Sequence, residues 1–574
     1  MNIATTATQV AEVDNSVDLL EGWDTVFAIR YADVNSAIVK AESSPPGFDA
    51  TITDDLLQML MPKGDWGESA TAVGTFGDWA LAPGGAGHKI QMTLPVPTVT
   101  LTRPGHPDVT RTDVTFSIEV ELAPISRGKN SGADGGELFD FKLLAPQGAG
   151  DYTITVTDCS YQGSDQDQIN RAFLIAIMTV WLNDNTAQFD HTFATVNLNA
   201  KAAHDKFDWL MPTTTSYAVN DQGTMESGIF GVLCMTENRA PSKNQQIMTE
   251  ALPPEQRSSF LISRERFMSK MIGGTIGDMF TGPQKPEEGK VWPQDYFDLV
   301  DNDTSISNNA PLYIKDFDVG KEGKPELVDA KLATAGITCK LEETYLNVRI
   351  QNFTHPYYWW LGDWYLKVHH TIETRNTAYI NEHQQFAMMP LSSKIGDKAM
   401  EHTAVAEKTE HAKYIEWAEI FIGLLALGIP LARAGWLRYF AEVPEEIEIG
   451  AAATATVEAE GVPQAGQAAE LEAEGATGAL AWLRNRLTGL RDWVAAMSQN
   501  NYARVVFGMS ALLTTEQILQ AIADGGAPEK LPKYREFAAT VMSPIQWPEA
   551  AEFEVTGVQF NGSLQSFGDP GFTF

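Results

Sequence analysis

Basic residues are scarce in this chain of 574: 41 Lys and Arg stand against 75 Asp and Glu, a net charge of −34. Nucleic-acid binding draws its affinity from neutralising phosphates with Lys and Arg, so no nucleic-acid partner is expected. Cysteine is scarcer still. Cys159, Cys234 and Cys339 are odd in number and far apart, which leaves neither a disulfide framework nor a zinc knuckle. Each reads as a small buried apolar residue. The opening MNIATTATQVAEVDNS has no Lys or Arg, so it lacks the basic start of a secretory signal. Synthesis in the cytoplasm is the expectation, with any release to the outside by another route.

The motifs of common enzyme chemistry are missing too. Gly84, Gly85 and Gly87 form neither a GxGxxG nor a P-loop and read as a turn. No GxSxG elbow occurs. His355, His369, His370 and His383 come without an HExxH, and adjacent histidines on a strand point to opposite faces, so surface or packed histidines are expected. Asp298, Asp301 and Asp303 lack the Gly and distal Glu of a calcium loop and read as a solvated loop. No catalytic residue, metal ligand or cofactor is assigned, and the reading is non-enzymatic.

What is present is alternation. Residues 114–122, VTFSIEVEL, place Val114, Phe116, Ile118, Val120 and Leu122 on one face and Thr115, Ser117, Glu119 and Glu121 on the other. Such strict alternation marks an antiparallel sheet with one dry and one wet face. Ile90, Met92 and Leu94 alternate likewise until the prolines of PVP at 95–97 interrupt the ladder. Shorter echoes are Tyr152/Ile154/Val156, Leu346/Val348/Ile350 and Phe553/Val555 with Val558/Phe560, where the period slips at Thr556-Gly557 as at a bulge. Against these stands one strong helix, QINRAFLIAIMTVWLN through Asn183, which Asp165 or Asp167 can cap. It is apolar nearly all round, so most of its sides must be covered.

Residues 401–534 differ. Ile415–Tyr439 and Leu480–Ala523 read as helices, with Pro430 kinking the first. Residues 441–478 between them are dominated by Ala, Glu and Gly without Lys or Arg, an acidic linker. The organisation expected is a body of 1–400 completed by 535–574, with a helical module inserted at 401–534.

The module carries a membrane signal beside a plainer reading. Ile420–Ala432 is an uncharged run of thirteen, too short to span by the usual criterion of about 18. Trp417 and Trp436 bracket it, roughly 28 Å apart on a helix rising about 1.5 Å per residue. Trp417, Phe421, Leu424, Leu425 and Trp436 are therefore candidate membrane contacts. So are Trp482, Arg484, Arg486, Arg491 and Trp493 of a basic amphipathic helix at 481–497. The plainer reading packs the two helices on each other, with the arginines meeting the acidic linker.

Five stretches carry a family resemblance. GWDTVFAIRYADVNSAI (22–38) resembles the opening of the clostridial P-forty-seven proteins, encoded beside OrfX-type neurotoxin genes. DQINRAF with FATVNL (193–198), WLMPTTTSYAV with GVLCMT (209–236), FLISRERFM (260–268) and FEVTGVQFNGSLQSFG (553–568) follow in the same order. That family is similar to the tubular lipid-binding (TULIP) proteins. The resemblance implies an α+β fold in which a curved antiparallel sheet wraps a long apolar helix and leaves an apolar groove. It also implies a lipid or another apolar ligand, such as a fatty acid, and other toxin-cluster proteins as partners, with insecticidal loci as one setting.

The candidate ligand lining is the dry strand face, Val114, Phe116, Ile118, Val120 and Leu122, with the helix face Phe173, Ile177 and Trp181. Three functions stay open: an apolar-ligand-binding accessory of a bacterial toxin system, a structural scaffold of a toxin complex whose groove is self-filled, and a membrane-inserting effector using 415–439.

Overall fold

The computed structural model describes residues 18–571 except 409–446, 450–452, 456–533 and shorter stretches, the longest of them 57–68, 319–326 and 391–399. The chain divides into two compact units, one of residues 16–263, 535–557 and 565–574, the other of 1–15, 264–534 and 558–564.

In the first unit the sheets are antiparallel. One follows the order Thr155–Ser160, Val109–Val120, Ile90–Thr102, Ala70–Thr75, Gly47–Ile52, with Ala80–Leu81 beside Ile90–Thr102. Alternation decides its faces. Val114, Phe116, Ile118 and Val120 are all buried, and the residues between them are half-exposed. Burying each such side chain contributes roughly 1.5–3 kcal/mol. Leu122 is buried too but begins the next strand, Leu122–Lys129, in a different sheet. The expected nine-residue ladder therefore ends at Val120.

The prolines do not interrupt Ile90–Thr102. Pro95 pairs with Thr115, and its carbonyl accepts from Gly77 N (2.8 Å) on the opposite side. In an antiparallel strand the N–H and C=O of one residue point the same way, so the ring nitrogen of Pro95 faces away from Val109–Val120. On that far side Ala80–Leu81 pairs with residues 92–93 and Ala70–Thr75 with 98–102. The proline lies in the gap between the two, where no ladder bond is lost.

The helix Gln168–Asp184 forms where expected and packs against Thr155–Ser160, Gly47–Ile52 and Ala70–Thr75. Phe173, Leu174, Ile177, Met178, Trp181 and Leu182 are buried, while Ile169 is exposed. The expected architecture of a long apolar helix wrapped by a curved sheet is thus only partly met. Antiparallel sheet dominates, and the helix lies against strands of one sheet.

A second sheet holds three strands buried along their whole length. Thr25–Arg30 lies between Ile229–Thr236 and Ser258–Ile262, and every residue of all three is buried. Strands covered on both faces read as continuous apolar runs without alternation. This sheet continues through Pro212–Asn220 to Ala86–Gly87 on one side, and through Leu564–Asp569 and Glu554–Phe560 on the other. Burial along Glu554–Phe560 changes parity at Thr556-Gly557, as the slip in the sequence pattern predicts. Gly84 lies in a turn and Gly87 in the short strand that follows it. Gly84 sits at φ +109°, and Asp221 Oδ2 accepts from the backbone nitrogens of Gly84 and Gly85 at 2.8 and 2.9 Å.

The other unit is built on a large sheet. Its strands follow the order Phe297–Val300, Ser305–Asn308, Ile337–Leu341, Leu346–Trp360, Asp363–Ile380, Met400–Lys408, with Leu312–Asp318, Leu327–Leu332 and Phe386–Pro390 attached. Leu346, Val348 and Ile350 are buried, as their alternation predicts. Met400–Lys408 pairs antiparallel with Asp363–Ile380 and parallel with Ala453–Ala455, which pairs with Ile447–Ile449. These strands fall within the span read from sequence as helical module and acidic linker. The helices expected at 415–439 and 480–523 lie outside the described residues.

Candidate functional site

The eight side chains expected to line a groove are all buried. Val114, Phe116, Ile118, Val120, Leu122, Phe173, Ile177 and Trp181 are each at most 8% exposed. Trp181 lies against Phe76, Phe48 and Phe189, with ring centroids 5.2, 5.8 and 6.2 Å away, and the Arg103 guanidinium stands 5.1 Å over the Phe173 ring. The protein's own aromatic groups occupy that interface. Neither of the two cavities described below is lined by any of the eight.

The first cavity lies in the first unit. Helix Tyr534–Met542 runs into the short strand Ile545–Gln546, which pairs with Ala194–Leu198 through Val196↔Ile545 and Thr195↔Gln546. A turn follows, closed by Ala550 N donating to Trp547 O at 3.2 Å. This path sets Trp547 edge-on to Phe27 (5.4 Å, 77°) and to Phe230 (5.7 Å, 75°), and Phe27 meets Phe553 at 5.6 Å. Edge-to-face contacts satisfy the ring quadrupoles and hold the aromatic side chains at fixed angles. Between them is a cavity of about 400 Å³ walled by Phe27, Met542, Ile545, Trp547, Phe553 and Pro570. Ala539, Ser543, Gln546 and Ala550 also line it, and none of these described lining residues has an ionisable side chain. Trp547 is 6% exposed, and its Nε1–H has no hydrogen-bond partner among the described residues. A buried indole N–H normally finds one. Sequence reasoning missed this site. Its signal was an isolated Trp between Gln546 and Pro548, without a periodicity to mark it.

The second cavity, about 680 Å³, lies on the sheet of the other unit. Tyr313 pairs with Lys331, Lys331 with Thr354, and Thr354 with His369, so the four form one row across adjacent strands. Thr354 Oγ1 is 3.1 Å from His369 Nδ1, and Lys331 Nζ lies 5.8 Å from the Tyr313 ring centre. Asp329 and Lys367 also line it, so charges of both signs stand at a cavity whose exposed lining is mainly apolar. His355 turns Nδ1 to Pro356 O at 2.9 Å.

The three thiols are buried and unbonded to one another. Burial pushes each up to about 12. They are the small buried residues their scarcity suggested. The candidate membrane contacts Trp417, Phe421, Leu424, Leu425, Trp436, Trp482, Arg484, Arg486, Arg491 and Trp493 all lie outside the described residues. Among the described residues no helix is long and apolar enough to cross a membrane.

Known proteins bear on this architecture. Residues 20–335 match the OrfX-like family, described as Protein OrfX2/OrfX3/P47. Protein OrfX3 of Paraclostridium bifermentans is 28% identical over 281 residues, covering 44% of this chain and 53% of the relative. Protein OrfX3 of Clostridium botulinum (strain Kyoto / Type A2) is 28% identical over 344 residues, 55% of this chain and 63% of the relative. The chain thus spans between half and two thirds of the length of these curated relatives. The solved structure of P47 from Clostridium botulinum A2 superposes with TM-score 0.58 at 12% identity, covering 97% of this chain and 99% of that one. P47 of Clostridium botulinum E1 gives 0.53 at 13% identity over 96% and 99%. These two likenesses establish the fold. The family match covers more than half of the sequence and includes the 22–38, 193–198, 209–236 and 260–268 stretches quoted for the resemblance, and on it the chain belongs to the OrfX-like family.

Proposed function

We propose that this protein is a non-enzymatic accessory component of a bacterial toxin system that binds a lipid or another apolar ligand. The carrying observation is the cavity of about 400 Å³ between Phe27, Met542, Ile545, Trp547, Phe553 and Pro570. Its size falls within the usual range for small-molecule sites, roughly 300–1,000 Å³, and its walls are mainly aromatic and aliphatic. Family membership supports the toxin-cluster setting, and with it other toxin-cluster proteins as partners. The side chains first expected to line the site are buried, and the Trp547 pocket offers a second place for the ligand.

A second reading has its own support. The packing of Phe116, Phe173 and Trp181 favours a scaffold whose groove is filled by its own side chains and whose outer surface docks another protein. Native mass spectrometry of the full chain with organic extraction separates the two. An apolar compound bound at one per chain and released by extraction supports the ligand reading. A bare mass, together with no uptake of added apolar compounds, overturns it and leaves the scaffold.

A further inference from the structure

We propose that the cavity of about 680 Å³ on the large sheet binds an amino carboxylate with an apolar side chain, its carboxylate held by Lys331 and its ammonium by Asp329. This is a second site, lined by none of the residues of the Trp547 pocket, and it does not rest on the reading above.

The strand Leu327–Leu332 sets the two charges. Val328, Ala330 and Leu332 are buried, while Asp329, Lys331 and the following Ala333 are exposed. Alternation therefore puts these last three on one face, and all three line the cavity. Residues two apart on a strand stand about 7 Å from one another. Asp329 and Lys331 do not pair, and among the described residues neither makes a hydrogen bond or an ion pair. Lys331 Nζ instead stands 5.8 Å from the ring centre of Tyr313, which also lines the cavity. One face thus keeps a cationic and an anionic group available side by side. A ligand with a single charge is drawn to one and repelled by the other, whereas an amino carboxylate meets both with the favourable sign.

The neighbouring strands bulge beside this pair. Leu312–Asp318 slips register between Ile314 and Phe317, opposite Asp329. Leu346–Trp360 slips between Ile350 and Phe353, where Asn352 takes φ +52° and lines the cavity. Bulges bend a strand and re-aim its side chains, which accounts for a hollow in a sheet face. Tyr313, Ala333 and Pro356 in the mainly apolar lining give a hydrocarbon side chain its contacts, and the volume is within the range of small-molecule sites.

The test titrates the full chain by calorimetry at pH 7 and low salt with three probes of one chain length: norleucine, hexanoate and hexylamine. Norleucine is expected to bind at one per chain, about two- to fivefold tighter than either singly charged probe, the worth of one exposed ion pair. Lys331→Met keeps the stem and removes the cation, so norleucine affinity should fall to that of hexylamine. Asp329→Asn should lower it to that of hexanoate. Both positions are exposed, so neither change disturbs the core. Ala333→Trp, which fills the cavity from the same face, should abolish norleucine binding.

Hexanoate or hexylamine binding as tightly as norleucine in the wild type overturns the inference, and this comparison does not depend on any variant. So does a norleucine affinity unchanged by Lys331→Met or Asp329→Asn, norleucine binding that survives Ala333→Trp, or no binding of norleucine at all. None of these outcomes bears on the Trp547 pocket, which native mass spectrometry tests separately.

Discussion

Asp24 and Arg239 form an ion pair at 2.6 Å in which the carboxylate is almost fully buried. The other carboxylate oxygen accepts from Thr236 N at 2.8 Å and Thr236 Oγ1 at 3.0 Å. The Asp24 backbone donates to Cys234 O and accepts from Ser263 N, so one residue ties together the ends of three buried strands. Breaking a buried pair from one side strands the other charge or donor and costs about 3–5 kcal/mol. Asp24→Ala is expected to lower the unfolding free energy, read from urea denaturation, by that amount. Arg239→Ala should cost nearly as much, because it leaves Asp24 buried. A double variant costing no more than either single one would show that the two act as a unit.

Overpacking tests whether the dry face is core. Phe116 is fully buried on Val109–Val120, paired with Leu94 on one side and Cys159 on the other. Phe116→Trp should destabilise the protein by about 1–3 kcal/mol in chemical denaturation. An unchanged midpoint would mean that free space exists beside this residue.

His191 makes stability depend on pH. It is 2% exposed, edge-on to Phe193 at 5.0 Å, and burial, with Lys142 nearby, lowers its pKa to about 4. The unfolded chain binds the proton near pH 6.5 and the folded chain only near 4, so the unfolded state holds more protons between these values. Its contribution is complete above pH 6.5 and is lost as pH falls towards 4. From pH 7.5 to 5 this amounts to about 2 kcal/mol. His191→Phe should flatten that slope in denaturation curves taken across the window, and an unaltered slope would assign it to other groups.

Thiol chemistry should report the folded state. Cys159, Cys234 and Cys339 are buried, with pKa values raised to about 12. Thiolate is the reactive form, so iodoacetamide at pH 8 should leave all three unmodified in the native protein and label all three in denaturant. Native labelling at one position, located by peptide mass, would mark a region that opens.

Alternation exposed the half-wet strands in the sequence because each of their residues chooses between two environments. Residues 114–120 and 346–350 follow that rule. Thr25–Arg30, Ile229–Thr236 and Ser258–Ile262 have no wet face, and their chemistry carries no period to read. They surfaced only as family signatures. Pro95–Pro97 read as a break because a proline removes a donor. Whether that donor was needed depended on which side of the strand it faced, and Gly77 settled that from 18 residues away.

Local pattern by itself determined the helix at 168–184 and the one-sided strands, since each depends on periodicity along the chain, and the scarcity of cysteine excluded a disulfide framework. Where space remained inside was decided by tertiary structure alone. Trp181 fills the interface where a groove was expected because Phe48, Phe76 and Phe189 arrive from other segments to meet it. Trp547, beside Phe27 and Phe553, is left with a void and an unmet donor because the neighbouring side chains stop short of filling it. A cavity is what several distant segments together fail to occupy, and no single stretch of sequence encodes it.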